Sequence, residues 1–508
     1  MEPLEPPAKA PWRTLLQVGL LLVLLLGAGV GTAWWLARHA RQQVVRILLV
    51  TPAPGPGSGL DASEGRALGA LVQDHLECFG GAAVTSVTEM PTDLGPLLLH
   101  PDSRVVILDP RRQGDRLALG FRTAEAGPLG RVGGRAWTVE PPVFQTPREA
   151  FGRLDRALGC VPGASGDALT PQRAQDFWEL IRASSLRLEN DHLQEAAGLA
   201  GQVTRAEPDC ASGWVLLGNL EYRRFLNDPQ ASRPGQAQVE ALFQKALTLV
   251  PSHPRAAFLL SLVEADAGDQ RRALTLLIEA RKRQPWNPTL LTGLAYAARG
   301  AGLLTLSRRA LDLRDSLAFS SYLPQAVDIT RLYTGEVSRF QAELQDRPGH
   351  LRNTTGIVAF HRGYLALVQG DRGAALTAFQ EAREAPRGYP SIVRLAEVYT
   401  LILEGRTQEA WEKLHTLDQA RVGMREPDGE FTLRLAEAYA LLGDRASAMD
   451  MAVRAFGRGF GCTEWYERSP MLQPLRTLPQ WQALIQHLQE RQGLMESTFP
   501  SSLVEDPS

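Results

Sequence analysis

The stretch PSHPRAAFLLSLVEADAGDQRRALTLLIEARKRQP, residues 251–285, decides the fold. Ala257, Leu260 and Ser261 begin an apolar stripe at helical spacing, Gly268-Asp269 interrupts it, and Ala273, Leu277 and Ala280 resume it. Pro251 and Pro285 bracket the unit, 34 residues apart. Proline lacks the amide hydrogen and clashes with the preceding helical turn, so each of the two ends a helix. The Gly-Asp between them predicts the tight turn of a helical hairpin. Small residues recur where two antiparallel helices touch, because only Gly, Ala or Ser lets the backbones approach.

The same pattern extends in both directions. Trp214, Leu217 and Gly218 open the preceding unit and Phe243, Ala246 and Pro251 close it, with residues 224–236 inserted between its helices. An earlier, degenerate unit ends at Ala196, Val203 and Pro208, and a later one uses Leu294, Ala295 and Ser307. Gly363, Gly370-Asp371, Ala375, Phe379 and Ala382 repeat the pattern, as do Gly405, Ala410 and Leu414, and then Ala436, Tyr439, Gly443-Asp444, Ala448 and Ala455. This spacing resembles the tetratricopeptide repeat (TPR), whose period is 34 residues. The resemblance implies a mostly α fold, a TPR-type α-solenoid over 170–459, with a concave groove that takes a peptide or helix from a protein partner. Residues 316–353 keep helical apolar spacing without the motif and read as a diverged repeat. Residues 460–492 resemble the closing element of bacterial TPR proteins fused to TolB-like domains. Trp465, Leu472, Leu475, Trp481 and Leu484 are expected to form a helical cap there, and 493–508 a disordered tail.

Before the repeats, residues 14–37 carry no charge. At a rise of ~1.5 Å per residue they span the ~30 Å hydrocarbon layer as one transmembrane helix. Trp12, Trp34 and Trp35 stand where aromatic belts form, and residues 1–13 are a short leader. The flanking cations, Lys9 and Arg13 against Arg38, Arg41 and Arg46, nearly balance, with a slight lean towards a cytoplasmic bulk.

Residues 44–160 change character. Val44–Val50, Ala83–Val87 and Arg104–Leu108 read as strands, Arg116–Arg122 and Arg131–Val139 as a hairpin, and helices are expected after Asp61 and after Thr146-Pro147. The glycines at 55, 57 and 59 lack the Gly-Lys-Ser/Thr ending of a P-loop and the spacing of a dinucleotide fingerprint, so no cofactor is expected. The order of elements, Gly133-Gly134-Arg135-Ala136-Trp137 and Thr146–Phe151 resemble the TolB amino-terminal-like domain. That resemblance implies a small α/β domain between a membrane helix and TPRs, with the bulk extracytoplasmic (periplasmic) and the N-terminus in the cytoplasm. Cys78 and Cys160 each end an expected helix and would pair in an oxidising compartment; the alternative is two buried thiols.

Net charge is -2, from 54 Lys+Arg against 56 Asp+Glu, so no basic surface calls for nucleic acid. The nine histidines form no metal-ligating pair, Asn190-Asp191-His192 reads as a turn, and no nucleophile motif is present. Catalytic residues, metal ligands, cofactors and a small-molecule substrate are therefore not expected. The reading is a membrane-tethered scaffold for protein partners in an envelope or membrane complex. The alternative is a sensory or signalling component of a bacterial regulatory system without its own effector domain.

Overall fold

The computed structural model describes residues 45–55, 57–78, 82–87, 103–126, 132–135, 142–158, 168–187, 190–227, 235–317, 328–345, 356–385, 390–423 and 428–504. The expected membrane segment, 14–37, and its leader lie outside these. Among the described residues no helix is long and apolar enough to cross a membrane.

The chain enters on β1 (Val45–Val50), followed by α1 (Ala62–Glu77), β2 (Ala82–Val87), β3 (Ser103–Gln113), β4 (Arg116–Ala126), β5 (Val132–Arg135), β6 (Val143–Phe144) and α2 (Pro147–Leu158). The strands form one sheet in the order β2-β1-β3-β4-β5, with β6 also paired to β4. β1 runs parallel to both β2 and β3, and the remaining pairs are antiparallel. A strand inside a sheet with both faces covered is apolar throughout, and Ile47, Leu48, Leu49 and Val50 are all buried. Ile47, Leu49, Val106, Leu117 and Leu119 share one core with Leu68 and Val72 of α1 and Phe151 and Leu154 of α2. α1 starts with a capping box: Asp61 accepts from the Ser63 and Glu64 amides at 2.7 and 2.8 Å, and Glu64 accepts from the Asp61 amide at 3.1 Å.

One expectation in this domain changes. The strand expected to stop at Leu108 continues to Gln113, and the tight hairpin joins β3 to β4 through Gly114, whose φ is +62. Pro110 is tolerated in that strand because the β1–β3 ladder has already ended at Val50–Ile107, leaving β3 one neighbour there.

Helical hairpins follow: α3 (Ala174–Leu186) with α4 (Leu193–Ala206), α5 (Ala211–Asn227) with α6 (Gly235–Leu249), α7 (Pro254–Asp266) with α8 (Gln270–Arg283), and α9 (Pro288–Gly300) with α10 (Leu304–Leu317). A short pair, α11 (Thr330–Tyr333) and α12 (Val337–Gln345), occupies part of the diverged stretch. Then come α13 (Ile357–Val368) with α14 (Arg372–Arg383), α15 (Pro390–Leu403) with α16 (Thr407–Gly423), and α17 (Gly429–Leu441) with α18 (Arg445–Gly457).

The packing inside each hairpin has a steric cause. A Cβ on Gly218 would lie 2.7 Å from the Phe243 ring, and one on Gly363 2.9 Å from the Phe379 ring. Phe243, Ala246, Ala273, Ala375, Phe379, Ala382, Ala410, Ala436, Tyr439 and Ala448 are buried at these contacts. Trp214, Leu217 and Ala280 are half-buried, and Pro251 and Pro285 lie exposed in the turns. Each aspartate of a Gly-Asp turn caps the next helix: Asp269, Asp371 and Asp444 accept from amides three residues on, at 2.9, 2.9 and 3.0 Å.

The C-terminal elements are α19 (Thr463–Arg468) and α20 (Pro479–Thr498), separated by a 3-10 segment at Pro470–Leu475. The tail expected to be disordered from 493 is ordered to Val504. α20 reaches Thr498, Phe499 and Val504 are buried, and cations of α8 and α10 hold the segment. Arg281 donates to the Leu503 carbonyl at 3.1 Å and Arg309 to the Ser501 carbonyl at 3.0 Å. Free carbonyls facing arginines on a neighbouring repeat are what order this stretch.

The array also folds back on itself. The Asp428 amide donates to the Asp266 carbonyl at 3.1 Å, and the Gly461 amide to the Gly300 carbonyl at 2.7 Å. Gly302, at φ +84, would place a Cβ 2.2 Å from the Gly461 carbonyl oxygen, so only glycine permits this approach. Behind these contacts is a buried polar network. Arg299 pairs with Asp328 at 2.7 Å and Glu430 at 3.0 Å. Arg434 pairs with Glu437 at 2.9 Å and Glu430 at 3.4 Å, and its guanidinium lies 4.0 Å from the Tyr364 ring centre. Glu437 also accepts from Tyr364, Trp465 and Ser469 at 2.8, 3.1 and 2.7 Å.

Four substitutions have expected outcomes in chemical denaturation. Gly363→Ala costs about 1–3 kcal/mol by overpacking Phe379, whereas Gly198→Ala, exposed within α4 with nothing within 4 Å, stabilises by up to ~1 kcal/mol. Arg434→Ala costs about 3–5 kcal/mol, because Glu437 loses its buried cation and Glu430 keeps only Arg299. Burial opposes ionisation of Asp328, but Arg299 outweighs it and holds the carboxyl at about 2, below its ordinary 3.8. Its contribution is thus complete above pH 3.8 and lost as pH falls towards 2. Asp328→Asn removes about 2 kcal/mol at neutral pH and flattens that acid limb.

Candidate functional site: a repeat groove filled in cis

The groove expected along the first helices of the repeats is occupied at its N-terminal end by the chain's own α1. Ala67, Ala70, Leu71 and Asp74 of α1 face Leu180, Ile181 and Ser184 of α3, Val215, Leu216 and Asn219 of α5, and Arg255 of α7. The space left among them is about 30 Å³, room for about two waters. The opposite face of α1, with Leu68, Val72 and Leu76, packs in the core of the sheet, so a single helix belongs to both domains.

Polar contacts fix the docking. Arg255 donates to Asp74 at 3.0 Å, and Thr289 of α9 donates to Glu77 at 3.2 Å. Gln284 donates to the Cys78 carbonyl at 3.3 Å and to the Ser252 carbonyl at 2.6 Å, tying the end of α1 to the turns before α7 and α9. On the sheet side Trp178 of α3 donates to the Asp115 carbonyl at 2.9 Å and carries the Arg112 guanidinium 4.7 Å from its ring centre. His75 meets Asp155 of α2 at 2.9 Å inside the domain.

The joint contains buried groups with unusual ionisation. Burial pushes the Glu77 carboxyl up to about 7, with Asp74 adding to the rise. Burial lowers His253, which precedes α7, to about 4, and neither of its ring nitrogens has a hydrogen-bond partner. Burial likewise raises the Cys78 thiol well above its ordinary range. Cys78 is a free thiol, as are Cys210 and Cys462, while Cys160 lies outside the described residues. A buried thiol held protonated is a packing residue and a poor nucleophile.

The remaining sequence candidates resolve simply. At the start of α1 the Ser63 and Glu64 amides are taken by the Asp61 side chain. Asn190–His192 is a 3-10 turn leading into α4. Among the described residues no group of His, Cys, Asp and Glu is placed to hold a metal ion. What the sequence did not indicate is the joint at Asp74, Glu77, Gln284 and Arg255, or the network around Glu430. Isolated charges on amphipathic helices look the same whether they meet solvent or a distant partner.

No family model matches the chain, and no curated protein matches it. Similar solved structures include the APC/C hetero-tetramer Cut9-Hcn1, 11% identical with a TM-score of 0.40 over 68% of this chain and 60% of that one. Yeast Tom70 is 12% identical at a TM-score of 0.33, covering 65% of this chain and 68% of its own. The P58(IPK) TPR domain is 12% identical at 0.19, covering 64% and 99%. The chain spans less than two thirds of the Cut9-Hcn1 chain it resembles.

Glu77 makes the docking of α1 sensitive to pH. A carboxyl whose folded value is raised from 4.5 to about 7 contributes fully below pH 4.5, and that contribution is lost as pH rises through 7. Protection of the α1 amides, corrected for the intrinsic rise of exchange with pH, is therefore expected to fall between pH 4.5 and 7, and Glu77→Gln to abolish that fall.

Proposed function

We propose that the chain is a membrane-tethered scaffold that assembles protein partners on its helical repeats, the membrane link being residues 14–37. The observation carrying this reading is the helix-in-groove contact of α1 with α3, α5 and α7. It supports the view that these inner faces have the shape and charge to hold an amphipathic helix, the common mode of helical-groove recognition. With the first part of the groove committed to α1, external partners engage the later repeats and the outer helices. Tethering would raise the local concentration of membrane-bound partners without any added contact. The resemblance of 44–160 to the TolB amino-terminal-like domain supports an extracytoplasmic bulk and a role in an envelope or membrane complex.

Two experiments test the proposal. Full-length protein purified from detergent-solubilised membranes is expected to retain a defined protein partner that is lost when 356–459 are deleted; an unchanged set of co-purifying proteins overturns the scaffold. A reporter active only in the cytoplasm, fused after Ser508, is expected to stay silent. Activity there overturns the orientation, and recovery of the chain in the soluble fraction overturns the tether.

A further inference from the structure

The segment that follows α20 lies as a strap across α8 and α10, the second helices of two neighbouring hairpins. Phe499 and Val504 are its buried ends, Ser502 and Leu503 are exposed, and a 3-10 turn at Ser501–Leu503 joins them. Arginines of the two helices make its polar seat. Arg271 donates to the Thr498 hydroxyl at 3.3 Å, Arg309 to the Ser501 carbonyl at 3.0 Å and Arg281 to the Leu503 carbonyl at 3.1 Å. All three acceptors are neutral. On the same helices Arg272, Lys282 and Arg308 pair with Glu264, Glu279 and Glu336, whereas Arg271, Arg281 and Arg309 meet no carboxylate among the described residues. Arg281 is also half-buried, and that burial pulls its guanidinium below its ordinary value. A desolvated cation gains more from a carboxylate than from a carbonyl, because charge-assisted hydrogen bonds are about twice as strong as neutral ones.

The strap is separable from what lies behind it. Trp481, Leu484, Ile485 and Leu488 anchor α20 in the core of the later repeats, and neither Phe499 nor Val504 belongs to that core. Surface segments with few buried groups open at far less than the cost of global unfolding. The strap is thus an uncharged occupant of a cationic seat, held by shape and carbonyls while the charge stays unanswered. Resting on the scaffold reading above, we infer that this seat on α8 and α10 is a docking site for an acidic segment of a protein partner, which displaces the strap. The segment carries an aromatic residue where Phe499 lies, a branched aliphatic residue where Val504 lies, and carboxylates at the places of Ser502 and Leu503, beside Arg281 and Arg309. Glu464 and Glu496 line the cleft next to Phe499, Pro500 and Ser501, so like-charge repulsion keeps the carboxylates to the second half of the segment.

The test uses the full chain in detergent and a fluorescent, end-blocked peptide, Phe-Pro-Ser-Glu-Glu-Val, against its isostere with two glutamines. The acidic peptide is expected to bind about tenfold tighter than the isostere. The amides of 499–504 should lose hydrogen-exchange protection as it binds. Phe499→Ala, which loosens the strap, should raise the affinity several-fold, and Arg281→Gln or Arg309→Gln should erase the acidic preference. Equal binding of the two peptides, equal binding of a scrambled acidic peptide, or undiminished protection of the strap overturns the inference. So does a preference unchanged in both arginine variants with unaltered melting profiles. A preference that emerges only when Glu505→Gln and Asp506→Asn are combined also overturns it, since the chain's own carboxylates are then the occupant. Failure of the two readings is distinguishable: a partner retained equally by parent and Arg309→Gln, with no peptide preference, removes the seat and leaves the scaffold. An arginine-dependent peptide preference with no co-purifying partner keeps the seat and removes the scaffold.

Discussion

Glu430 stands between two buried arginines, Arg299 from α9 and Arg434 from its own helix, and much of the molecule's arrangement depends on that bridge. Burial works against its ionisation, and the two guanidiniums reverse the balance and hold it below the ordinary carboxylate range. Around it Tyr333, Tyr364, Glu437, Trp465 and Ser469 complete the hydrogen bonds, so no member depends on solvent. Networks of this kind are favourable only when satisfied throughout, since each unpaired charge in a low-dielectric interior costs several kcal/mol. α9, the approach to α11, α13, α17 and α19 are consequently locked in one mutual arrangement. An open solenoid is stabilised by neighbours along one dimension. Here units far apart in sequence also support each other, and that makes the last repeats part of the same structure as the middle ones.

At the other end of the array the same logic applies through α1. A helix shared between a sheet core and a repeat groove cannot leave one without exposing the other. Its small residues allow this double role: Gly69 sits so close to Thr51 that a Cβ would meet its hydroxyl at 2.4 Å, while Ala67 and Ala70 let α3 and α5 come near from the other side. The α/β domain is thus a fixed extension of the repeat array and covers the face made by α3, α5 and the start of α7. Partner binding, on the proposed reading, is left to the later repeats and the outer helices.

How far these features could be read from the residues depends on their range. The hairpins, the Gly-Asp turns and the Asp caps are local: a positive φ, a side chain reaching an amide three residues on, a phenylalanine against a glycine. Each leaves its mark within a single repeat. The end of β3 is not marked locally, since Pro110 is tolerated there only because the ladder to β1 has already ended at Val50–Ile107. The ordered segment at 499–504 was missed because its partners, Arg281 and Arg309, lie about two hundred positions upstream. Arg299 and Glu430 are separated by 131 positions, and on an amphipathic helix either could equally be a solvated charge. The membrane span expected at 14–37 rests on hydropathy alone and lies outside the described residues.

The glycine contacts at the point of closure have a consequence for how such a chain can change over evolutionary time. Repeat proteins ordinarily lengthen and shorten by duplicating or losing whole units, because each unit meets only the next. Between Gly302 and Gly461 that freedom is gone. One hairpin more or fewer in this interval would rotate and displace the far end, so that the Gly461 amide could no longer reach the Gly300 carbonyl. The count of units there is set by a geometric condition, as in a ring that closes only with a whole number of members. Variation in length is confined to the stretches outside the closed interval, among them the insertion between α5 and α6.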